Sequence, residues 1–424
     1  MGIEIIKKES NGEPGGSEEL TRLVSQVLSD VEKDGDEALR RYTSKFDGVQ
    51  LDSFKLSKKE IEEIISRVPA ETRELIDTNI ERIRNFCQFQ KSMYRDMEFV
   101  TDDGQTILGQ RIIPIESVGV YVPGGRFPLL SSALMGIIPS KVAGVKRIVA
   151  ATPPGLNRPH PAVLYGIIKA GATEILTVGG IQAIGALAYG TESVARVDKI
   201  CGPGNKFVNE AKRQVFGTVG IDLLAGPSEV LVVADESADE STVAYDLLAQ
   251  AEHDVAARSC LVTTSKELAL GVAKNMDKYI ISLETREILT ESWEKHGSIV
   301  LCDSIEEALD YTNQYAPEHL ELHLNQDNTG IAFEKLHNFG SLFLNDSTPV
   351  VFSDKLIGTN HTLPTQTAAR YTGGLSVGAF LKILTYQKIS GCTALKDISQ
   401  RAMKQSLVEG LAGHAKSAEI RIPK

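Results

Sequence analysis

Eight histidines are spread over 424 residues, and one of them adjoins a glutamate and a proline in YAPEHLEL, Tyr315 to Leu322. Glu318 and His319 are residue types that move protons. An imidazole titrating at about pH 6.5 accepts the proton of an alcohol, and a neighbouring carboxylate activates water or holds a cation. The alternative is a solvated strand end. Within a strand the two side chains point to opposite faces, whereas in the turn that Pro317 imposes both can face one cleft.

A second constellation lies in LLAQAEHD. Gln250 and His253 are three residues apart on a predicted helix, so both reach one face and could share a metal; a structural role for such a pair is the commoner case. His361 in GTNHTLPT and His414 in EGLAGHAKS sit in glycine-rich polar stretches, and Asp354 in FSDKLIGTNH lies in an apparent loop. A Gln, His, Asp and His set of nitrogen and oxygen donors suits Zn²⁺ with positions left open for substrate, although spacing alone does not assemble it. His296 and His337 stand among charged residues, and His160 lies between prolines.

Three glycine-rich turns offer phosphate cradles: YVPGGR from Tyr121, VGGIQAIG from Val178 and CGPGNKF from Cys201. None is G-x-G-x-x-G. Each serves either as a dinucleotide approach to a helix start or as a simple turn.

The elements that must carry these groups fall into two textures. The first ~95 residues read as helices. Leu20, Leu23, Val24, Val27, Leu28 and Val31 recur at helical spacing before Gly35, and Ser57 with Glu60 forms a capping box before KKEIEEIISRV. A further helix is expected to carry Leu75, Ile76, Ile80, Ile83 and Phe86 on one face. From about residue 110, short β-branched runs such as SVGVYVP, KRIVAATPP, EVLVVAD and SCLVTTS alternate with helical stretches. Buried parallel sheets with crossover helices require this alternation, and two such α/β modules follow one another. From about Ala379 the chain reads as helix, ending in a strand-like AEIRI.

Composition narrows the function classes. The formal net charge of -11, interspersed along the chain, disfavours nucleic acid as a partner. No apolar run reaches the ~18 to 20 residues of a membrane span, and MGIEIIKKES lacks a secretory apolar core, so a cytoplasmic protein is expected. Five scattered cysteines, without a C-x-x-C pair, argue against a disulfide framework and a thiolate zinc site.

Taken in order, YVPGG, VGGIQAIGALAYGTESV, GPGNKFVNEAKRQV, AGPSEVLV, AQAEHD, APEHLEL, GTNHTLPT and EGLAGH resemble the motifs of the histidinol dehydrogenase family over nearly the whole chain. The resemblance implies a homodimeric enzyme that uses NAD and one Zn²⁺ per subunit to oxidise a primary alcohol to a carboxylate through a bound aldehyde, in two hydride transfers. It implies two incomplete Rossmann-like α/β domains and a helical C-terminal tail that completes the partner's active site. The corresponding boundaries are an N-terminal segment 1–20, a first domain of 21–120 plus 230–378, a second of 121–229, and a tail of 379–424. The implied metal ligands are Gln250, His253, Asp354 and His414, and the implied catalytic pair is Glu318 and His319. Ser228, His361 and Glu409 match substrate positions, with the metal ligands and His319 also facing substrate, while Tyr121, Gln182 and Asn205 match the dinucleotide lining.

Some positions depart from the family pattern. Ser353 and Lys355 flank Asp354 where a glycine and an aromatic are usual, Gly373 replaces a serine, and Arg126 with Phe127 follows YVPGG. Two added cations favour an anionic substrate tail. In this the chain resembles a paralogous branch, the sulfopropanediol 3-dehydrogenases, which oxidise 2,3-dihydroxypropane-1-sulfonate to sulfolactate, whereas AGPSEV with Ser228 is closer to the histidinol enzymes. A third reading makes Cys201 or Cys260 the nucleophile of an aldehyde dehydrogenase, and a fourth is a non-catalytic relative.

Overall fold

Strand Glu229–Ala234 is buried at every position, as a central parallel strand with helices on both faces requires. It belongs to a six-stranded sheet, one of two main sheets in the computed structural model, which describes residues 3–8, 18–124, 130–155 and 159–423. Four further parallel strands follow it in the chain: Arg258–Thr263, Gly297–Leu301, His319–His323 and Ser341–Leu344. In space they run third, second, first, fourth, fifth, and Glu4–Lys7 adds an antiparallel edge beside Gly297–Leu301.

The other main sheet repeats that order. Its strands are Ser117–Tyr121, Arg147–Ala151, Glu174–Leu176, Lys199–Cys201 and Gly220–Ile221, all parallel, and they too run third, second, first, fourth, fifth. The two α/β modules expected from the alternation are present with one shared topology.

This order places a crevice beside the first strand of each sheet, where successive crossovers turn in opposite directions. In the five-stranded sheet the crevice opens between the carboxyl ends at Tyr121 and Cys201. In the six-stranded sheet the equivalent place is closed by Asp235, which is fully buried. Its carboxylate accepts hydrogen bonds from Ser237 N (3.0 Å), Asn325 N (2.9 Å) and Asn328 Nδ2 (2.8 Å). The chain's own amides satisfy the positions that a ligand would take.

The N-terminal helices differ from the expected grouping. Helices Glu18–Asp34 and Asp36–Asp47 bury Val24, Val27, Leu28 and Leu39 against the five-stranded sheet, and Ala70–Ser92 buries Ile76, Ile80 and Ile83 against its other face. Helices 18–47 and 70–92 therefore pack on 117–221, and Leu375 and Val377 join the cluster under Ala70–Ser92. Strand Thr106–Pro114 leads into Ser117–Tyr121 through only Ile115 and Glu116, which ties this region to that sheet. On helix Ala70–Ser92 the buried stripe continues to Cys87, while Leu75 and Phe86 face outward. The capping box is formed: Glu60 N donates to Ser57 Oγ at 3.3 Å, and Ser57 N donates back to Glu60 at 2.8 Å.

The tail is also not purely helical. Leu381–Ile389 is a strand, antiparallel to Thr106–Pro114 over nine residues, with Met97–Val100 on the far side of that partner. Helices Cys392–Val408 and Ala412–Glu419 follow, and AEIRI closes the last of them rather than forming a strand. No helix among the described residues is long and apolar enough to cross a membrane.

Candidate active site

Helix Ile305–Tyr315 ends at Ala316 in a left-handed conformation (φ 53°), and Pro317 and Glu318 lead into the strand that begins at His319. Pro317 O and Glu318 O accept from Gly340 N and Ser341 N, each at 2.9 Å, which fixes the entry. Glu318 lies before the strand's alternation sets in, so the two side chains meet. Glu318 Oε2 is 3.6 Å from His319 Nδ1 and accepts from Glu229 N at 2.8 Å.

His319 Nδ1 is 3.0 Å from Glu229 O. A carbonyl only accepts, so Nδ1 carries the proton and Nε2 keeps its lone pair. Nε2 is buried and has no protein hydrogen-bond partner. Burial pulls the imidazole down to about 4, against the opposing charge of Asp354, so it is neutral at physiological pH. Burial pushes Glu318 the other way, well above the usual carboxylate range, helped by the charges of Glu229 and Asp354. Both groups of the pair thus favour their uncharged forms.

Beside them His253 and Asp354, two of the four expected metal ligands, come together, with Gln250 three residues before His253. Gln250 lies in the last turn of helix Glu240–Ala251, His253 in the turn just past its end, and Asp354 in helix Val350–Lys355. Asp354 sits between two imidazoles, 3.7 Å from His253 Nε2 and 3.4 Å from His361 Nδ1. The side-chain nitrogen of Gln250 and His361 Nδ1 are buried without hydrogen-bond partners. An imidazole and an amide left unpartnered beside one carboxylate, the Gln250 amide able to turn its oxygen inward, are what a cation-binding cluster leaves when described by protein atoms alone, so the residues fit a metal. Burial pulls the His361 imidazole down, and the nearby Lys355 cation adds to this against Asp354.

His414 and Glu409 are placed elsewhere within one chain. His414 is exposed on helix Ala412–Glu419, lining a groove of the tail with Ile398, Ser399 and Ala402, and Glu409 accepts from Gln405 at 2.7 Å. Ser228 is half-buried just before strand Glu229–Ala234, and its carbonyl accepts from Arg258 N at 3.0 Å.

Of the expected dinucleotide residues, Tyr121 and Asn205 lie beside the open crevice of the five-stranded sheet, and Gln182 lies in the helix after its edge strand. Tyr121 ends the first strand, and its hydroxyl accepts from Gly180 N (3.1 Å) at the start of helix Gly180–Tyr189. Gln182, fully buried, donates to Asp47 Oδ2 at 3.2 Å. Asn205 caps helix Lys206–Val215, accepting from Phe207 N and Val208 N at 3.0 and 3.1 Å. Arg126 and Phe127 lie outside the described residues.

Sequence reasoning missed the clamp on that turn. Lys212 and Asp222 form a fully buried ion pair at 2.5 Å. Asp222 Oδ2 accepts from Gly202 N at 2.8 Å, and Lys212 Nζ donates to Gly202 O at 3.0 Å. Gly202 has φ 112°, and a Cβ there would collide with the carbonyl oxygen of Tyr121, so only glycine fits. Also missed was the alternation in HLELH, which puts His319, Glu321 and His323 on one face of a strand. Cys201 and Cys260 are fully buried, and burial pushes the Cys201 thiol upward, an environment that silences a nucleophile.

Glu318, His319 and the cluster around Asp354 lie at the amino end of the six-stranded sheet, whereas the open crevice lies at the carboxyl end of the other. Known proteins share this framework. A family model described as histidinol dehydrogenase matches residues 13–422. The chain is 44% identical over 408 residues to "Histidinol dehydrogenase homolog 1" of Mesorhizobium japonicum, covering 96% of this chain and 81% of that one. It is 42% identical to the histidinol dehydrogenase of Methanocaldococcus jannaschii, covering 99% and 97%. The crystal structure of histidinol dehydrogenase from Elizabethkingia anophelis superposes with a TM-score of 0.91 at 35% identity, over 98% of this chain and 94% of that one. By sequence along nearly its whole length and by fold, the chain belongs to the histidinol dehydrogenase family.

Proposed function

We propose that the chain is a cytoplasmic, zinc- and NAD-dependent dehydrogenase that oxidises L-histidinol to L-histidine through an enclosed aldehyde. The observation that supports this most is His319, a buried neutral imidazole with Nε2 unpartnered beside Glu318 and the Asp354 cluster.

When bound, NAD supplies the hydride acceptor, and zinc held by Gln250, His253 and Asp354 with the partner subunit's His414 supplies a fixed orientation for the substrate. His319 Nε2 accepts the alcohol proton as the carbinol hydride departs, and the bond from Nδ1 to Glu229 O keeps the ring in the receptive tautomer. Glu318, after giving its own proton to solvent, accepts one from water as that water adds to the aldehyde carbon. Its raised proton affinity makes its carboxylate a stronger base than an ordinary glutamate. The hydrate then gives a second hydride to a second equivalent of the cofactor and a proton to His319 Nε2, which has released the first to solvent, and the acid so formed ionises to the carboxylate. Ser228, His361 and Glu409 contact the substrate, while Tyr121, Gln182 and Asn205 line the dinucleotide. Apolar side chains exposed on the antiparallel ribbon and tail, Phe99, Ile383, Ile389, Leu407 and Val408, support a homodimer whose tails exchange.

A second reading rests on Lys355, whose cation acts on His361 and favours a sulfonated substrate such as 2,3-dihydroxypropane-1-sulfonate. Side-by-side NAD reduction by zinc-loaded protein with L-histidinol and with that diol separates the two. Turnover of L-histidinol with two reduced cofactors per molecule supports the first reading, turnover of the diol alone selects the second, and turnover of neither overturns both.

A further inference from the structure

Glu321 and His323 share a face of strand His319–His323, and helix Glu240–Ala251 packs over that face. On the helix, Asp246 lies four residues before Gln250, on the same stripe. One helical turn, ~6 Å, matches one strand dyad, ~6.6 Å, so Asp246 meets Glu321 and His323 one layer deeper than the Gln250 level.

From this convergence we propose that Asp246, Glu321 and His323 form a second divalent-cation site, distinct from the cluster at Asp354, for a structural first-row ion such as Zn²⁺. His323 Nε2 is 3.3 Å from Asp246 Oδ2 and 3.6 Å from Glu321 Oε2. The edge of a tetrahedron of nitrogen and oxygen ligands around zinc is about 3.4 Å. Among the described residues, this is the group of His, Cys, Asp and Glu whose three ligand atoms lie within 4.8 Å of one another.

Apart from their ion-pair contacts with His323, the inward carboxylate oxygens are unspent. Glu321 Oε1 accepts from Val350 N at 2.6 Å, which orients the carboxylate and leaves Oε2 aimed inward. Glu321 Oε2 and Asp246 Oδ2 are buried without a hydrogen-bond partner. The Glu321 and His323 side chains are each 1% exposed, while Asp246, at 12%, gives an ion its way in. Two carboxylates and a neutral imidazole balance a divalent charge; without an ion and against burial, the carboxylate partners raise the His323 imidazole to about 9, so loading must release its proton. Nitrogen and oxygen donors in this ratio suit zinc or manganese rather than calcium.

The test is the zinc content per chain after loading with zinc chloride and dialysis, measured on wild type, Asp246→Asn/His323→Gln and His253→Ala/Asp354→Ala. Two ions are expected in wild type and one in each double variant. Cobalt loading of wild type, read by the visible absorption of two distinct ligand sets, supplies a measurement that needs no variant. A single ion that persists in Asp246→Asn/His323→Gln and is lost in His253→Ala/Asp354→Ala, with one cobalt spectrum, overturns the proposal and leaves the cluster a salt-bridged triad. A single ion with the reverse pattern upholds this site and removes zinc from the proposed active site instead.

Discussion

The clamp beneath the Gly202 turn, where the proposed function puts the dinucleotide, gives a prediction with two separable parts. Asp222→Asn preserves size but leaves Lys212, fully buried, without its counter-charge. Breaking a buried pair from one side costs about 3–5 kcal/mol, more than a hundredfold in the folding equilibrium at ~1.4 kcal/mol per decade. Replacing both members with apolar residues, Lys212→Met with Asp222→Leu, should recover most of that loss because no charge remains stranded. Function should not recover with it. Gly202 N loses its 2.8 Å acceptor in the double variant, and an unsatisfied buried amide costs about 1–3 kcal/mol, on the order of a tenfold rise in KM for NAD if the turn relaxes to satisfy it. Urea melts followed by circular dichroism read the first part, and steady-state kinetics at varied NAD read the second. A single variant within ~1 kcal/mol of wild type would refute the energetic argument. A stable double variant with an unchanged KM for NAD would show that the clamp does not position the cofactor turn.

His319→Asn should lower turnover by about 10²- to 10⁴-fold without changing metal content, and near-normal turnover would remove His319 as the base. Asp354→Ala takes away the carboxylate between His253 and His361, so it should lose the active-site ion; unchanged loading in metal analysis would mean the ligand set is misassigned. Mixing His414→Ala with His319→Asn chains tests tail exchange. If the partner subunit's His414 completes each site, half of the random dimers are hybrids with one intact site, giving about a quarter of wild-type activity. Activity no greater than the sum of the separate variants would place His414 in its own chain's site.

Local pattern carried most of the fold. Runs such as EVLVVA and helices closed by Gly35 or opened by Ser57 and Glu60 are dictated by neighbours in sequence, and they appear where expected. What was not legible depends on distant partners. Leu381–Ile389 has no strict burial alternation, and its strand identity comes from Thr106–Pro114, far earlier in the chain. The grouping of the N-terminal helices likewise follows from which sheet face their apolar stripes meet. At the site, Glu318 and His319 were readable as chemistry, but their common orientation required the Ala316 turn and the Glu229 backbone. Lys212 and Asp222 carry no mark in the sequence, because periodicity does not reveal a counter-charge ten residues away.

The nine-residue ribbon between Thr106–Pro114 and Leu381–Ile389 constrains how the chain is made as well as how it stands. At roughly 5–20 residues per second, synthesis takes about 14–55 s to travel from the first strand to the second. Throughout that interval Thr106–Pro114 is paired only with Met97–Val100, and its other edge offers open amides and carbonyls to any neighbouring chain. The nascent protein is therefore most exposed to misassembly just before its C-terminal part emerges, and ribosome stalling upstream of residue 381 would leave that edge uncovered.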